Sequence, residues 1–294
     1  MPTARVLAQA KVNLILHLLA REASGYHAIE TVFLRLDLSD DVRVRIAEGR
    51  SLDCAGPAMP PSGLGPVEKN LAFRAAAAYS NAVGWPTGFS IEIEKRIPVG
   101  AGLGGGSADA GAVLRALDAM SANPLGPRLI ELATALGSDV PFMTIESPMA
   151  LGWARGERLL PLPVLEPRPV VIVVPSFPIS TSDAYAWVSA DRGTYTPAAH
   201  VIAPDSVATW EEIVGIAGND FEAPVARRHP EIAEIVDTLD SMDALLSMLS
   251  GSGSTVFGVF GEAPDAAAIA RSTGQSTIAT RTSDRVFRVE ELSS

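Results

Sequence analysis

A single cysteine, Cys54, serves the whole chain of 294 residues, so no internal disulfide can form and no zinc site of several thiolates is available. Such sparing use of cysteine suits a reducing compartment, and a cytoplasmic protein is expected. Positive charge is scarce as well, with 23 Lys and Arg against 34 Asp and Glu and a formal net charge of −11. Nucleic acid is gripped by clustered basic side chains, so no nucleic-acid partner is expected. Long apolar runs are missing too. Residues 6–19 come nearest, but Gln9, Lys11, Asn13 and His17 interrupt them, so neither a membrane span nor a signal peptide is expected.

What remains is a chain rich enough in apolar residues, at 47%, to bury a substantial core. The proline-rich stretch 161–169 breaks all regular patterns and predicts a boundary between a first domain, 1–160, and a second, 161–294. Residues 6–18 alternate, with Gln9, Lys11 and Asn13 on one face and Ala8, Ala10, Val12 and Leu14 on the other, as in a half-buried strand. Segments 31–38 and 42–46 alternate again around Ser39-Asp40-Asp41, which predicts an antiparallel hairpin with its turn at 39–41. A helix is expected over 68–81, with Asn70 in its first turn, and a strand over 89–94, ending near Lys95. Helical spacing returns after residue 105 and over 128–136. The second domain reads as a buried strand at 170–174, helices near 181–189 and from Pro230, a strand pair around 251–254, and a last helix near Pro264.

Glycine is concentrated where strand gives way to helix. Pro98, Val99, Gly100, Ala101, Gly102, Leu103, Gly104, Gly105, Gly106 and Ser107 open a run to Gly111 that contains six glycines. Glycine tolerates positive φ, so successive amides can point into one hollow, and the helix that follows adds unpaired N–H groups and the positive end of its dipole. An anion of phosphate type suits that environment. The run contains Gly-x-Gly-x-x-Gly at Gly100, Gly102 and Gly105, which keeps a dinucleotide-binding turn in view. Such a turn follows a strand buried on both faces, whereas 89–94 alternates. No Lys-Ser or Lys-Thr pair closes the run, so it is not a Walker A loop. Elsewhere Lys11 and Asp139, in Gly137-Ser138-Asp139-Val140-Pro141-Phe142, supply the ammonium and carboxylate that can orient a hydroxyl during phosphoryl transfer. Tyr26-His27, in a chain with four tyrosines, is a pair suited to stacking on a planar ring and bonding its edge.

In this order the segments resemble the GHMP small-molecule kinases almost from end to end. Ala10-Lys11-Val12-Asn13-Leu14 with Gly25-Tyr26-His27 and Thr31-Val32-Phe33 is similar to an N-terminal signature of one branch of that family. Residues 98–107 are similar to its phosphate loop and 137–142 to its aspartate motif. Asn219-Asp220-Phe221-Glu222 is similar to a further family segment, and 250–260 to its third, glycine-rich motif. The resemblance implies an α/β fold of two domains with mixed and antiparallel sheets and the active site in the cleft between them. It implies transfer of the ATP γ-phosphoryl group to an erythritol 2-hydroxyl of a cytidine-linked acceptor, a step of isoprenoid precursor synthesis, with Mg²⁺ whose ligands it leaves unassigned. Asp139 would be the base or the hydroxyl-orienting group, and Lys11 would stabilise the developing alkoxide. Residues 98–107, Asn70 and Lys95 would hold ATP. Asn13, Tyr26, His27, Phe33, Thr181 and Tyr185 would hold the acceptor, and Gly251, Ser252 and Gly253 would close over the transferring group. Ala108 and Met143 depart from the family's pattern of a second serine and a second aromatic. Other kinases of the family, a dinucleotide enzyme and a non-catalytic binding protein are the rival readings. The expected partners are small molecules, and the expected state is a monomer or weak homodimer.

Overall fold

The structure, a computed structural model, describes residues 1–21, 27–191, 202 and 204–292. Alternation along the N-terminus produces β1 (Thr3–Arg21), which pairs antiparallel with β2 (His27–Ile46) so that Lys11 faces Arg35 and Asn13 faces Phe33. Directly opposed residues project from the same face of a sheet, and this register gathers Lys11, Asn13, Phe33 and Arg35. The even positions Ala8, Ala10, Val12 and Leu14 are buried in the main core. The odd positions are buried as well, contrary to a half-exposed strand: Gln9, Lys11 and Asn13 are 1%, 4% and 2% exposed. Burying polar groups requires partners, and Gln9 finds Ser283 at 2.8 Å while its oxygen accepts from Phe287 N–H at 2.9 Å.

The expected hairpin at 39–41 does not form. β2 runs straight through Ser39-Asp40-Asp41, with a register irregularity against β1 between Gln9 and Lys11. The turn-like aspartates have other partners. Asp40 accepts from the backbone N–H of Arg96 and Ile97 at 2.6 and 2.8 Å and pairs with Lys95, while Asp41 is held by Arg5 at 2.7 Å.

Beyond β2 come β3 (Arg50–Ala55), a single 3₁₀ turn at Val67–Lys69, α1 (Leu71–Val83) and β4 (Phe89–Glu94). Asn70 is the N-cap of α1 and accepts from Ala72 N–H at 2.9 Å. The glycine run then leads into α2 (Gly105–Met120), followed by α3 (Leu129–Leu136), α4 (Val140–Thr144), β5 (Met149–Ala154) and β6 (Arg158–Pro161). Residues 162–168 carry no regular structure. Past them lie β7 (Pro169–Val174), α5 (Thr181–Asp191), α6 (Trp210–Ile216), β8 (Gly218–Asn219), α7 (Glu222–Ala226) and α8 (Pro230–Ser241). The chain continues through β9 (Ala244–Leu249), β10 (Val256–Phe260), α9 (Ala266–Thr273), β11 (Ser276–Arg281) and β12 (Glu290–Leu292).

One sheet has the order β12-β1-β2-β4-β3, with β5 and β6 continuing from β2 and β8 lying parallel to β1; the second has the order β11-β7-β10-β9. β8 and β12 return from the second half of the chain to pair with β1. The boundary at 160/161 remains our proposal, resting on the irregular 162–168 link. Among the described residues no helix is long and apolar enough to cross a membrane.

Candidate active site

The glycine run bends because its backbone must. Gly102 has φ of 79°, and the space where a Cβ would stand is taken by the Ser250 carbonyl, so no larger residue fits there. Gly104, at φ 71°, is the N-cap of α2 and offers no side chain to cap it. The first N–H groups of α2 have no partner within the helix, and they coincide with the positive end of its dipole.

Beside this run Lys11 projects from β1. Its ammonium donates to Asn13 Oδ1 at 2.8 Å and to the Gly102 carbonyl at 3.1 Å, and Asp139 Oδ2 lies 3.5 Å away. Asn13 is held in turn, since its Nδ2 donates to Thr31 Oγ1 at 2.8 Å. The backbone N–H of Lys11 donates to Leu103 O at 3.0 Å, fastening the strand to the glycine run. Asp139 is the residue before α4, a helix placed by Arg35. The fully buried Arg35 guanidinium donates to the carbonyls of Phe142, Ile145 and Ser147 at 2.7, 3.1 and 3.2 Å, and lies over the Phe142 ring at 4.9 Å. Burial, with the Arg115 charge adding to it, pulls the Arg35 pKa down to about 9. Phe142 also stacks on Phe33 at 4.8 Å, so one cluster aligns α4 with the strand opposite Lys11.

A cavity of about 1170 Å³ opens in front of these groups, lined from both halves of the chain. From the first half come Lys11, Asn13, Phe33, Gly102, Gly104 and Asp139, and from the second Thr181, Tyr185, Gly251 and Ser252. These ten predicted positions share one space. Thr181 and Ser252 hydroxyls sit 3.0 Å apart, and Tyr185 meets the Phe221 ring edge-on at 4.9 Å. Burial and then the nearby Asp139 charge push the Tyr185 phenol up. Tyr26 and the His27 side chain lie outside the described residues.

The other predicted positions lie off this cavity. Pro98, Gly100, Ala101, Leu103, Gly105, Gly106 and Ser107 form the remainder of the loop and the first turn of α2, with Ala101 and Leu103 buried. Asn70 is close by, because the neighbouring Leu71 reaches Gly106. Gly253 sits against Ile179 and Leu249. Lys95 is placed differently from the expectation of a group turned toward a nucleoside. It is 2% exposed, and its ammonium is enclosed by Asp40 and by Asp109 at 2.7 Å, beneath the start of α2. Burial opposes its charge, but the two carboxylates outweigh that and raise its pKa, while burial pushes Asp109 up.

Arg155, Glu157 and Phe221, none of them an expected site residue, also line the cavity. Phe221 stood inside a noted motif; Arg155 and Glu157 had only the glycine between them as a signal of the turn that presents them.

Residues 70–146 match the GHMP kinases N terminal domain and residues 205–276 the GHMP kinases C terminal. Two packed sheets with an ammonium and a carboxylate at a glycine-built hollow therefore define a small-molecule kinase of GHMP type, with ATP as phosphoryl donor. Over 288 residues the chain is 40% identical to 4-diphosphocytidyl-2-C-methyl-D-erythritol kinase of Moorella thermoacetica, covering 94% of this chain and 97% of that protein. It is 37% identical over 291 residues to the enzyme of the same name from Syntrophotalea carbinolica, covering 97% and 98%. A crystal structure of 4-(cytidine 5'-diphospho)-2C-methyl-D-erythritol kinase superimposes with a TM-score of 0.76 at 34% identity, covering 95% of this chain and 98% of that one. The chain belongs to the 4-diphosphocytidyl-2-C-methyl-D-erythritol kinase family of GHMP kinases.

Proposed function

We propose that Lys11 and Asp139 carry the family's reaction in this chain, moving the γ-phosphoryl group of ATP to the 2-hydroxyl of 4-diphosphocytidyl-2-C-methyl-D-erythritol, with the 2-phosphate and ADP as products. The observation that carries this reading is the ammonium of Lys11 standing 3.5 Å from the Asp139 carboxylate at the wall of a cavity shared with Gly102 and Gly104. The acceptor oxygen forms a bond to γ-phosphorus as the bond from γ-phosphorus to the ADP oxygen breaks. Asp139 aligns the hydroxyl and receives its proton. Lys11 steadies the charge that develops on the oxygen, and the amides at the start of α2 hold the donor phosphates. A loose phosphoryl transition state asks for positioning and charge stabilisation of this kind more than for covalent chemistry.

Among the described residues no three His, Cys, Asp or Glu side chains gather into a metal cluster. Mg²⁺ usually keeps several waters and takes few protein ligands beside substrate phosphates, so with Asp139 engaged by Lys11 and the acceptor hydroxyl the ion would be held chiefly by the ATP phosphates and water. The ion would there neutralise phosphate charge.

On the acceptor side, Tyr185 offers a ring to cytosine and Phe33 and Thr181 line the approach, with Tyr26 and His27 proposed to complete it. Arg155, a second cation of the cavity lining, is proposed to face the acceptor diphosphate. Gly251 and Ser252 would close over the transferring group, with Gly253 completing that turn. A cytoplasmic location and a monomeric or weakly dimeric state remain part of the proposal. The direct test is ADP release with the cytidine-linked alcohol, beside mevalonate and homoserine as acceptors. Turnover confined to the first supports the assignment, and preference for either of the others overturns it.

A further inference from the structure

Of the segment Asn219-Asp220-Phe221-Glu222 only Phe221 lines the cavity, and the polar groups of the segment bond to two other places. The first is β1. β8 lies parallel to it at Ile15 and Leu16, Asp220 N–H donates to Leu16 O at 2.9 Å, and Leu18 N–H donates to Asp220 Oδ2 at 2.7 Å. The second is the end of β9 and the glycine turn after it. Asn219 Nδ2 donates to both Leu249 O and Gly251 O at 2.8 Å, and Leu249 N–H donates to Glu222 Oε2 at 2.7 Å. Asn219 Oδ1 is also used, by Phe221 N–H at 3.0 Å.

The turn held in this way presses on the phosphate loop. Ser250, fully buried, donates from Oγ to Gly102 O at 3.1 Å, the same carbonyl that receives Lys11 Nζ at 3.1 Å. The hydrogen bonds therefore close a ring that leaves β1 at Leu16 and Leu18, passes through 219–222 and the 249–251 turn, crosses to Gly102, and returns to β1 at Lys11.

We infer that Asn219 is a positioning residue for phosphoryl transfer: by holding the Leu249 and Gly251 carbonyls it seats Ser250 on Gly102 and so sets the phosphate loop relative to Lys11. Only a side-chain amide meets the demand, with two N–H donors for two carbonyls and an acceptor for Phe221. The inference rests on the reading that Lys11 and the Gly102 loop carry the transfer.

The test is steady-state kinetics with ATP and the cytidine-linked alcohol, with acceptor affinity measured by calorimetry and folding by thermal melts. Asn219→Asp keeps the shape and the acceptor but sets a carboxylate against two carbonyls. It is expected to lower kcat about a hundredfold, the scale set by misplacing reacting groups by an ångström, with acceptor affinity within about threefold. Glu222→Gln, which keeps an acceptor for Leu249 N–H, is expected to retain more turnover than Glu222→Leu. Ser250→Ala tests the same ring by a smaller change. Combined with Asn219→Asp it should cost less than the product of the two single losses, because both act through one contact. A lowered melting temperature with normal kcat in Asn219→Asp, or fully multiplicative losses in the double variant, overturns the inference. A wild-type protein that does not phosphorylate this acceptor strikes the functional reading instead.

Discussion

Two lysines of this molecule are buried almost equally, at 4% exposure for Lys11 and 2% for Lys95, and both reach the same glycine run, Lys11 at Gly104 and Lys95 at Gly105. Lys95 is wrapped by two buried carboxylates, Asp40 and Asp109. Lys11 has one, Asp139, at 3.5 Å and 27% exposed, and otherwise rests on the oxygens of Asn13 and Gly102. The charge of Lys95 is fully answered inside the protein and serves to anchor the start of α2. The charge of Lys11 is answered by a carboxylate that itself faces the cavity, so its field reaches an incoming anion. Burial alone does not distinguish these two lysines; the number and exposure of their counter-charges do.

The contrast can be broken first at Asp139. Asp139→Asn should lower turnover on the order of a thousandfold, about 4 kcal/mol of barrier, with substrate affinity within a few-fold; near-normal turnover would remove Asp139 from the chemistry. Lys95→Met should act on stability instead, because it strands two buried carboxylates, at a cost of about 3–5 kcal/mol. Denaturant melts would register that loss, while kcat per folded molecule should fall far less. Lys11→Met should invert the pattern, with kcat down about a hundredfold, or about 2.7 kcal/mol, and a melting temperature close to the parent's. If both lysine variants lose only stability, the two groups do the same job.

Smaller effects sharpen the picture. Removing a stacking ring costs about 0.5–1.5 kcal/mol beyond its area, so Tyr185→Ala should raise the acceptor KM about tenfold and leave that of ATP nearly unchanged. An equal effect on ATP would move Tyr185 to the donor side. The smallest change concerns Asp41, whose carboxyl lies below its ordinary range chiefly because Arg5 bonds it, against the opposing pull of burial. A depressed carboxylate stabilises the fold above its unfolded pKa of about 4 and loses that contribution as pH falls through the folded value. Asp41→Asn should therefore melt below the parent at neutral pH, with the gap closing below about pH 4. A gap that persists unchanged into stronger acid contradicts the pairing.

The local parts of the site were legible from the residues. The glycine run and the helix after it declare themselves because φ preference and helical spacing act over a few neighbours, and Asn70 sits within one residue of its expected place. Ser39-Asp40-Asp41 misled because aspartates at a pause in alternation favour turns. Here the partners that keep Asp40 inside a strand, Lys95, Arg96 and Ile97, lie 55 to 57 residues further on. Lys95 was misread for the same reason from the other end. Arg155 and Glu157 carried no periodic or motif signal, and they reach the cavity only through the turn between β5 and β6.

Residue order by itself settled the bend of the glycine run, the helix that follows it and the alternation of β1 and β4, since those features rest on torsional preference and near-neighbour spacing. It also marked Lys11 and Asp139, whose charged groups the fold brings to 3.5 Å. Only the folded chain decided which lysine faces the cavity, which aspartates are counter-ions, and that Asn219 reaches the glycine turn. Those outcomes depend on electrostatic and hydrogen-bond partners brought together across tens to hundreds of residues, and Coulomb and hydrogen-bond energies follow distance in space, not separation along the chain.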